Sequence, residues 1–117
     1  MPQDLQQRTK AFALRIIKLY TALPKSTEAQ VLGKQVLRSG TSVGAHYREA
    51  KRARSTAEFI SKMEVGLQEL EETAYWLELI NEAEIVAQQR LTSLQEEAEA
   101  LTAIFVTSVK TAKKPKR

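Results

Sequence analysis

"RSGTSVGAHYREA", Arg38 to Ala50, is the stretch on which the reading of this chain turns. It holds two of the four glycines, a cluster of hydroxyl residues and the single histidine. Those residue types suit a phosphate-cradling loop or a catalytic site as well as a helix. The apolar rhythm decides between them. Leu32, Val36, Ser39, Val43, His46 and Ala50 recur at spacings of four and three, without a slip across Gly40 to Gly44. A loop has no cause to keep helical period, so the stretch is read as the middle of a helix.

Beside that stripe runs a second line of Gly33, Leu37, Gly40, Gly44 and Tyr47. Each glycine costs a helix about 0.5–1 kcal/mol relative to alanine. Three on one line make physical sense where another helix packs very close. Gly66 lies similarly beside the core stripe of the next helix, so Gly33, Gly40, Gly44 and Gly66 are the expected close-packing positions.

Three further helices follow from the same periodicity. The first is expected from Gln3 to Leu23, on a stripe of Leu5, Thr9, Phe12, Ile16, Leu19 and Leu23. Pro24 ends it, and Ser26 or Thr27 caps the next, with Thr27 and Gln30 spaced as a capping box. The third is expected from Thr56 to Glu82, opened by Ser55 and Glu58 and carrying Ile60, Met63, Leu67, Leu70, Ala74 and Leu77 inward. The fourth is expected from Ala87 to Lys110 on Ala87, Leu91, Leu94, Ala98, Leu101, Phe105 and Ser108, with Ser93 and Glu96 as a rival start. Four helices joined by short turns predict an all-α, antiparallel up-down-up-down bundle over residues 1–112, with 113–117 as a basic, disordered tail.

The composition narrows the chemistry. There is no cysteine, which removes disulfides and thiolate metal sites. One histidine cannot supply the paired Glu-x-x-His motifs of a di-metal bundle, and "SGTSVGAH" lacks the lysine and preceding strand of a phosphate loop. The expectation is no cofactor, no metal and no enzyme; a Ser–His dyad at His46 would have nothing to build an oxyanion hole. "MPQDLQQRTK" has no apolar signal region and no run is long enough to span a bilayer, so a cytoplasmic protein without a membrane partner is expected.

Charge is segregated. Residues 1–54 carry a net +8, residues 55–109 a net −9, and residues 110–117 a net +5. Lys51, Arg52 and Arg54, together with Lys113, Lys114, Lys116 and Arg117, are candidate contacts to nucleic-acid phosphates. Arg48 and Glu72 form a candidate interfacial ion pair. Tyr75, Trp76 and Leu79 spill off the core stripe and, with Val106 and Val109, are candidate interface anchors.

Arg38–Leu79 and the closing "EEAEALTAIFVTSVKTAKK" resemble the signature of the four-helix-bundle proteins encoded by intervening sequences in bacterial large-subunit ribosomal RNA genes. The usual pattern there has Asn where this chain has His46. The resemblance implies a tightly packed bundle, a ring-like homo-oligomer of five subunits, and no established enzymatic activity. A related branch comprises accessory proteins of diversity-generating retroelements, which bind nucleic acid. Two functional expectations stand side by side: a non-enzymatic homo-oligomeric scaffold, and a nucleic-acid-binding accessory protein that uses the basic patches and tail. Complementary basic and acidic surfaces suit the head-to-tail contacts of a ring, or neutralise each other within one bundle.

Overall fold

The computed structural model describes residues 4–115. Four helices make up the fold: α1 Leu5–Ala22, α2 Thr27–Lys51, α3 Thr56–Glu82 and α4 Thr92–Lys113. Arg38–Ala50 is continuous helix within α2. Gln3, expected to open α1, lies outside the described residues, as do Lys116 and Arg117 of the tail; Lys114 and Pro115 follow α4 without helical structure.

Each helix start has a local cause. Asp4 accepts from the Gln6 N–H at the head of α1. Ser26, not Thr27, caps α2 by accepting from Ala29 N–H. Gln30 instead donates from its amide to the Pro24 carbonyl. Ser55 accepts from Glu58 N–H at the head of α3, and the Glu58 carboxylate returns to the N–H of Arg54, one residue earlier than a capping box would place it.

The α3–α4 connection departs from expectation. α3 ends in a Schellman arrangement: Ile85 N–H donates to Ile80 O and Glu84 N–H to Asn81 O. Glu84 adopts φ 57°, the left-handed conformation usually left to glycine. A short 3-10 turn, Gln88–Arg90, follows before α4 begins at Thr92. Neither Ala87 nor Ser93 caps that start, and no side chain does. The left-handed region costs a side-chain-bearing residue about 1–2 kcal/mol. Glu84→Gly is therefore expected to raise the unfolding free energy by about 1 kcal/mol, read from the midpoint of a denaturant titration. No change would mean the Glu84 backbone relaxes freely.

The helices alternate in direction. Between α2 and α3, Arg38 meets Glu72 at one level and Glu49 meets Lys62 further along, so numbers rise on one helix as they fall on the other. Gly33 faces Tyr20 and Gly44 faces Thr9 across α1–α2 in the same sense. The result is a rod of 55 × 26 × 21 Å, with α2 packed most extensively on α3.

The core holds Phe12 and Ile16 of α1, Val36 and Val43 of α2, Met63, Leu70, Leu77 and Ile80 of α3, and Leu101 and Phe105 of α4. Two stripe positions shift from expectation. Ala74 is exposed, because α3 turns inward through Thr73 instead. Val109, expected at an outer surface, is buried 7% exposed: the α4 stripe steps by four from Phe105 to Val109, leaving Ser108 half-buried.

The glycines lie where neighbouring side chains approach closely. A Cβ on Gly40 would stand 2.8 Å from Ile16 Cγ1, and one on Gly66 would stand 2.7 Å from Phe105 Cε2. At Gly44 the nearest atom is Thr9 Oγ1 at 3.2 Å, and at Gly33 it is the Leu23 terminal methyl at 2.6 Å.

Candidate functional site

The densest polar chemistry lies along the α2–α3 seam. Glu69 is only 8% exposed, so its charge must be compensated. Arg38 supplies one end of that compensation, with Nη1 3.4 Å from both carboxylate oxygens and Nη2 2.6 Å from Glu72 Oε1. His46 Nε2 lies 3.7 Å from Glu69 Oε2 and Nδ1 lies 4.0 Å from Glu49 Oε2. Lys62 Nζ closes the row at 2.9 Å from Glu49, and its hydrogen bond and charge hold the Glu49 carboxyl below the usual carboxylate range. Beneath these charges, Ser39 Oγ donates to Gln35 O and stands 2.8 Å from Thr73 Oγ1. The latter has one proton to share between Ser39 Oγ and the Glu69 carbonyl.

This geometry corrects the expected Arg48–Glu72 pair. Glu72 binds Arg38, and Arg48 is exposed. In the antiparallel register Arg48 lies at the level of Lys62, about 15 Å along the helix axis from Glu72. The sequence named the right acid and missed both its cation and Glu69. The seam is electrostatic joinery between two helices. No group of three or more His, Asp or Glu among the described residues is disposed to hold a metal ion. The two grooves at the Phe59 end of the bundle are lined by other residues than His46.

A second tie joins α1 to α4. Arg8 Nε and Nη2 donate to the two oxygens of Glu97 at 2.8 and 2.9 Å, a two-pronged pair that holds the Glu97 carboxyl below its ordinary range. Arg15 donates to Ser93 Oγ, and Ser93 is not a cap because α4 begins one residue before it, at Thr92.

The apolar candidates divide. Tyr75 is 53% exposed and its ring centroid lies 5.1 Å from that of Trp76. Trp76 packs its other side on the core, with its Nε1 buried and unpartnered. Leu79 and Val106 are half-buried. Stepping two turns from the Arg38–Glu72 pair sets Val31 opposite Leu79, and stepping the other way sets Ala45 opposite Val65. The second step agrees with His46 Cβ lying 3.6 Å from where a Gly66 Cβ would be. Val31 and Val65 are exposed, and sequence reasoning had not singled them out. They lie off the core stripe, so only the register of α2 against α3 brings them into line with Tyr75 and Leu79.

The cationic candidates gather at the end of the rod formed by the α2–α3 turn and the close of α4. Lys51, Arg52, Arg54, Lys113 and Lys114 are all exposed there. Lys113 pairs with Glu64 at 3.3 Å, and Lys51 reaches Gln6 Oε1 while lying 5.9 Å above the Tyr47 ring. No helix among the described residues is long and apolar enough to cross a membrane.

Comparisons with known proteins follow this architecture. A crystal structure of a protein of unknown function from the S23 ribosomal protein family of Bacteroides thetaiotaomicron superposes with a TM-score of 0.86 at 36% identity, covering 92% of this chain and 99% of that one. No curated protein matches the chain. The family described as 23S rRNA-intervening sequence protein matches residues 2–107. The bundle, its close-packed small residues and these matches together place the chain in the 23S rRNA-intervening sequence protein family.

Proposed function

We propose that the protein is a non-enzymatic, self-assembling bundle: a homo-oligomer, with five subunits as the resemblance implies, serving a structural role in the cytoplasm. The observation that carries this reading is the aromatic pair of exposed Tyr75 and half-buried Trp76 on α3, in line with Val31, Val65 and Leu79 along the outer α2–α3 seam. Aromatic anchors flanked by aliphatic residues and a charged row suit the buried centre and polar rim of an interface. Light scattering tests it. A mass near five times 13.2 kDa is expected for the wild type. Tyr75→Glu, on an exposed helical position, is expected to give a monomer with unchanged helical circular dichroism, and Trp76→Ala to weaken assembly as well. A wild-type monomer at both low and high salt would end this reading.

A second reading is a nucleic-acid-binding accessory role, favoured by the gathering of Lys51, Arg52, Arg54, Lys113 and Lys114 at one end of the rod. A ring would repeat that patch and make weak contacts count together. The same light-scattering experiment, with single-stranded RNA added, would then register a complex that dissolves as salt rises.

A further inference from the structure

The same end of the rod carries a groove. Its apolar half, about 570 Å³, is formed by Phe59 of α3 and by Ile104, Thr107, Ser108 and Thr111 of α4. It runs on through Phe59 and Thr111 into a second depression of about 590 Å³, bordered by Lys51, Arg54 and Lys114.

The fold explains why the groove is open. Ile104, Ser108 and Thr111 follow Glu97 at spacings of seven, four and three, so they lie on the flank of α4 that faces α1 higher up, where Arg8 holds Glu97. No residue of α1 lines the groove. Among the described residues, then, no helix fills at this end the kind of seat that a packed helix occupies elsewhere in the bundle. The α4 lining there is mostly small (Thr107, Ser108, Thr111), which lets a helix backbone come close. At the basic mouth, the side-chain cations of Lys51, Arg54 and Lys114 have no carboxylate partner within 4 Å among the described residues; the nearby Glu58 carboxylate is taken by the backbone N–H of Arg54.

We propose that this groove docks an acidic amphipathic helix of a partner protein. Its apolar stripe lies on Phe59 and Ile104, and its carboxylates lie against Lys51, Arg54 and Lys114. Charge complementarity selects this occupant. A nucleic-acid strand needs cations along its whole path, and the lining of the apolar half has none. A second copy's α1, with Arg8, Lys10, Arg15 and Lys18, would meet the basic mouth with like charge, and its acidic α3 and α4 already bury their apolar stripes in their own core. The groove stands apart from the outer α2–α3 seam, so the proposal does not depend on self-assembly.

The test is a displayed library of helical peptides of about four turns. Each carries an apolar stripe at helical spacing and flanks that are free to be Glu or Lys. The full-length protein is expected to enrich Glu-flanked peptides that bind with micromolar affinity by fluorescence anisotropy. Thr107→Glu, which puts a charge into the apolar half, is expected to weaken them by about tenfold or more, as is the Arg54→Glu/Lys114→Glu pair. All three positions are exposed, and circular dichroism verifies that each variant folds. Several results would overturn the proposal: no enrichment over an alanine stripe, enrichment of Lys flanks, or binding indifferent to Thr107→Glu. If Thr107→Glu instead abolishes binding of a single-stranded RNA oligonucleotide while sparing the peptides, nucleic acid is the occupant. If Thr107→Glu lowers the solution mass, a second copy covers the groove. An unchanged mass with lost peptide binding keeps docking separate from assembly.

Discussion

Phe105→Ala is expected to cost about 3–5 kcal/mol of unfolding free energy. The ring is fully buried and sits where three helices meet. Tyr47 of α2 tilts against it at 6.2 Å between centroids, and Gly66 of α3 yields the space that its edge fills. Removing the ring leaves a cavity whose walls are helix backbones, which collapse poorly. Urea titration followed by circular dichroism gives the value. A loss near 1 kcal/mol would mean that the site closes up and that Gly66 is not pinned by the ring. Coupling is part of the expectation: Gly66→Ala, which crowds Cε2 in the wild type, is expected to be harmless beside Phe105→Ala, a non-additivity that a double-mutant cycle measures.

Gly40→Leu is expected to be similarly damaging, and the alanine series explains why. At Gly40 a single Cβ meets three atoms of Ile16 at 2.8, 3.0 and 3.1 Å. Ile16 is fully buried, β-branched and stiff at χ1, so it cannot swing aside. Overpacking of this kind costs about 1–3 kcal/mol, against a helix-propensity gain of about 0.5–1 kcal/mol. Gly40→Ala is thus a net loss, and a leucine there forces α1 away from α2. Gly44→Ala meets nothing closer than 3.2 Å and is expected to be near neutral. Gly33→Ala meets the terminal methyl of buried Leu23 at 2.6 Å and the half-buried Tyr20 ring at 3.0 Å; the methyl ends a flexible side chain, so the cost is expected to lie between those at Gly44 and Gly40. Thermal melts of the four alanine variants rank them. Equal gains at all four would indicate that only helix propensity operates and that the glycines set no interhelical distance.

Much of this architecture was legible because helical period is local information. Leu32 to Ala50 kept its rhythm through Gly40 and Gly44, and α3 opened at Thr56 and closed at Glu82 as Ser55 and the apolar stripe require. What stayed illegible depends on how helices meet. Arg48 and Arg38 are equally cationic in the sequence, and only the α2–α3 register puts Arg38 beside Glu69 and Glu72. Ala74 and Thr73 compete for one inward position. The hydroxyl wins because Ser39 is across from it, a partner 34 residues away. The turn after α3 was hidden for another reason: glycine advertises a left-handed residue and Glu84 does not. The groove depends on how far α1 runs along α4: no described residue of α1 lines it, and periodicity carries no such information.

The order of contacts bears on how the chain reaches this state. α2 packs most heavily on α3, the helix that directly follows it, across a connection of four residues, Arg52–Ser55. α1 with α2 and α3 with α4 are likewise chain neighbours. Only the α1–α4 seam must close nearly the whole chain, and it is the least extensive of the four, drawn together by Arg8 on Glu97 and Arg15 on Ser93. Nearly every gain in burial therefore comes with a short loop to close. Such low-contact-order topologies reach the native state quickly. The α2–α3 hairpin is therefore the expected nucleus, with φ values higher in its seam than at the α1–α4 ion pair.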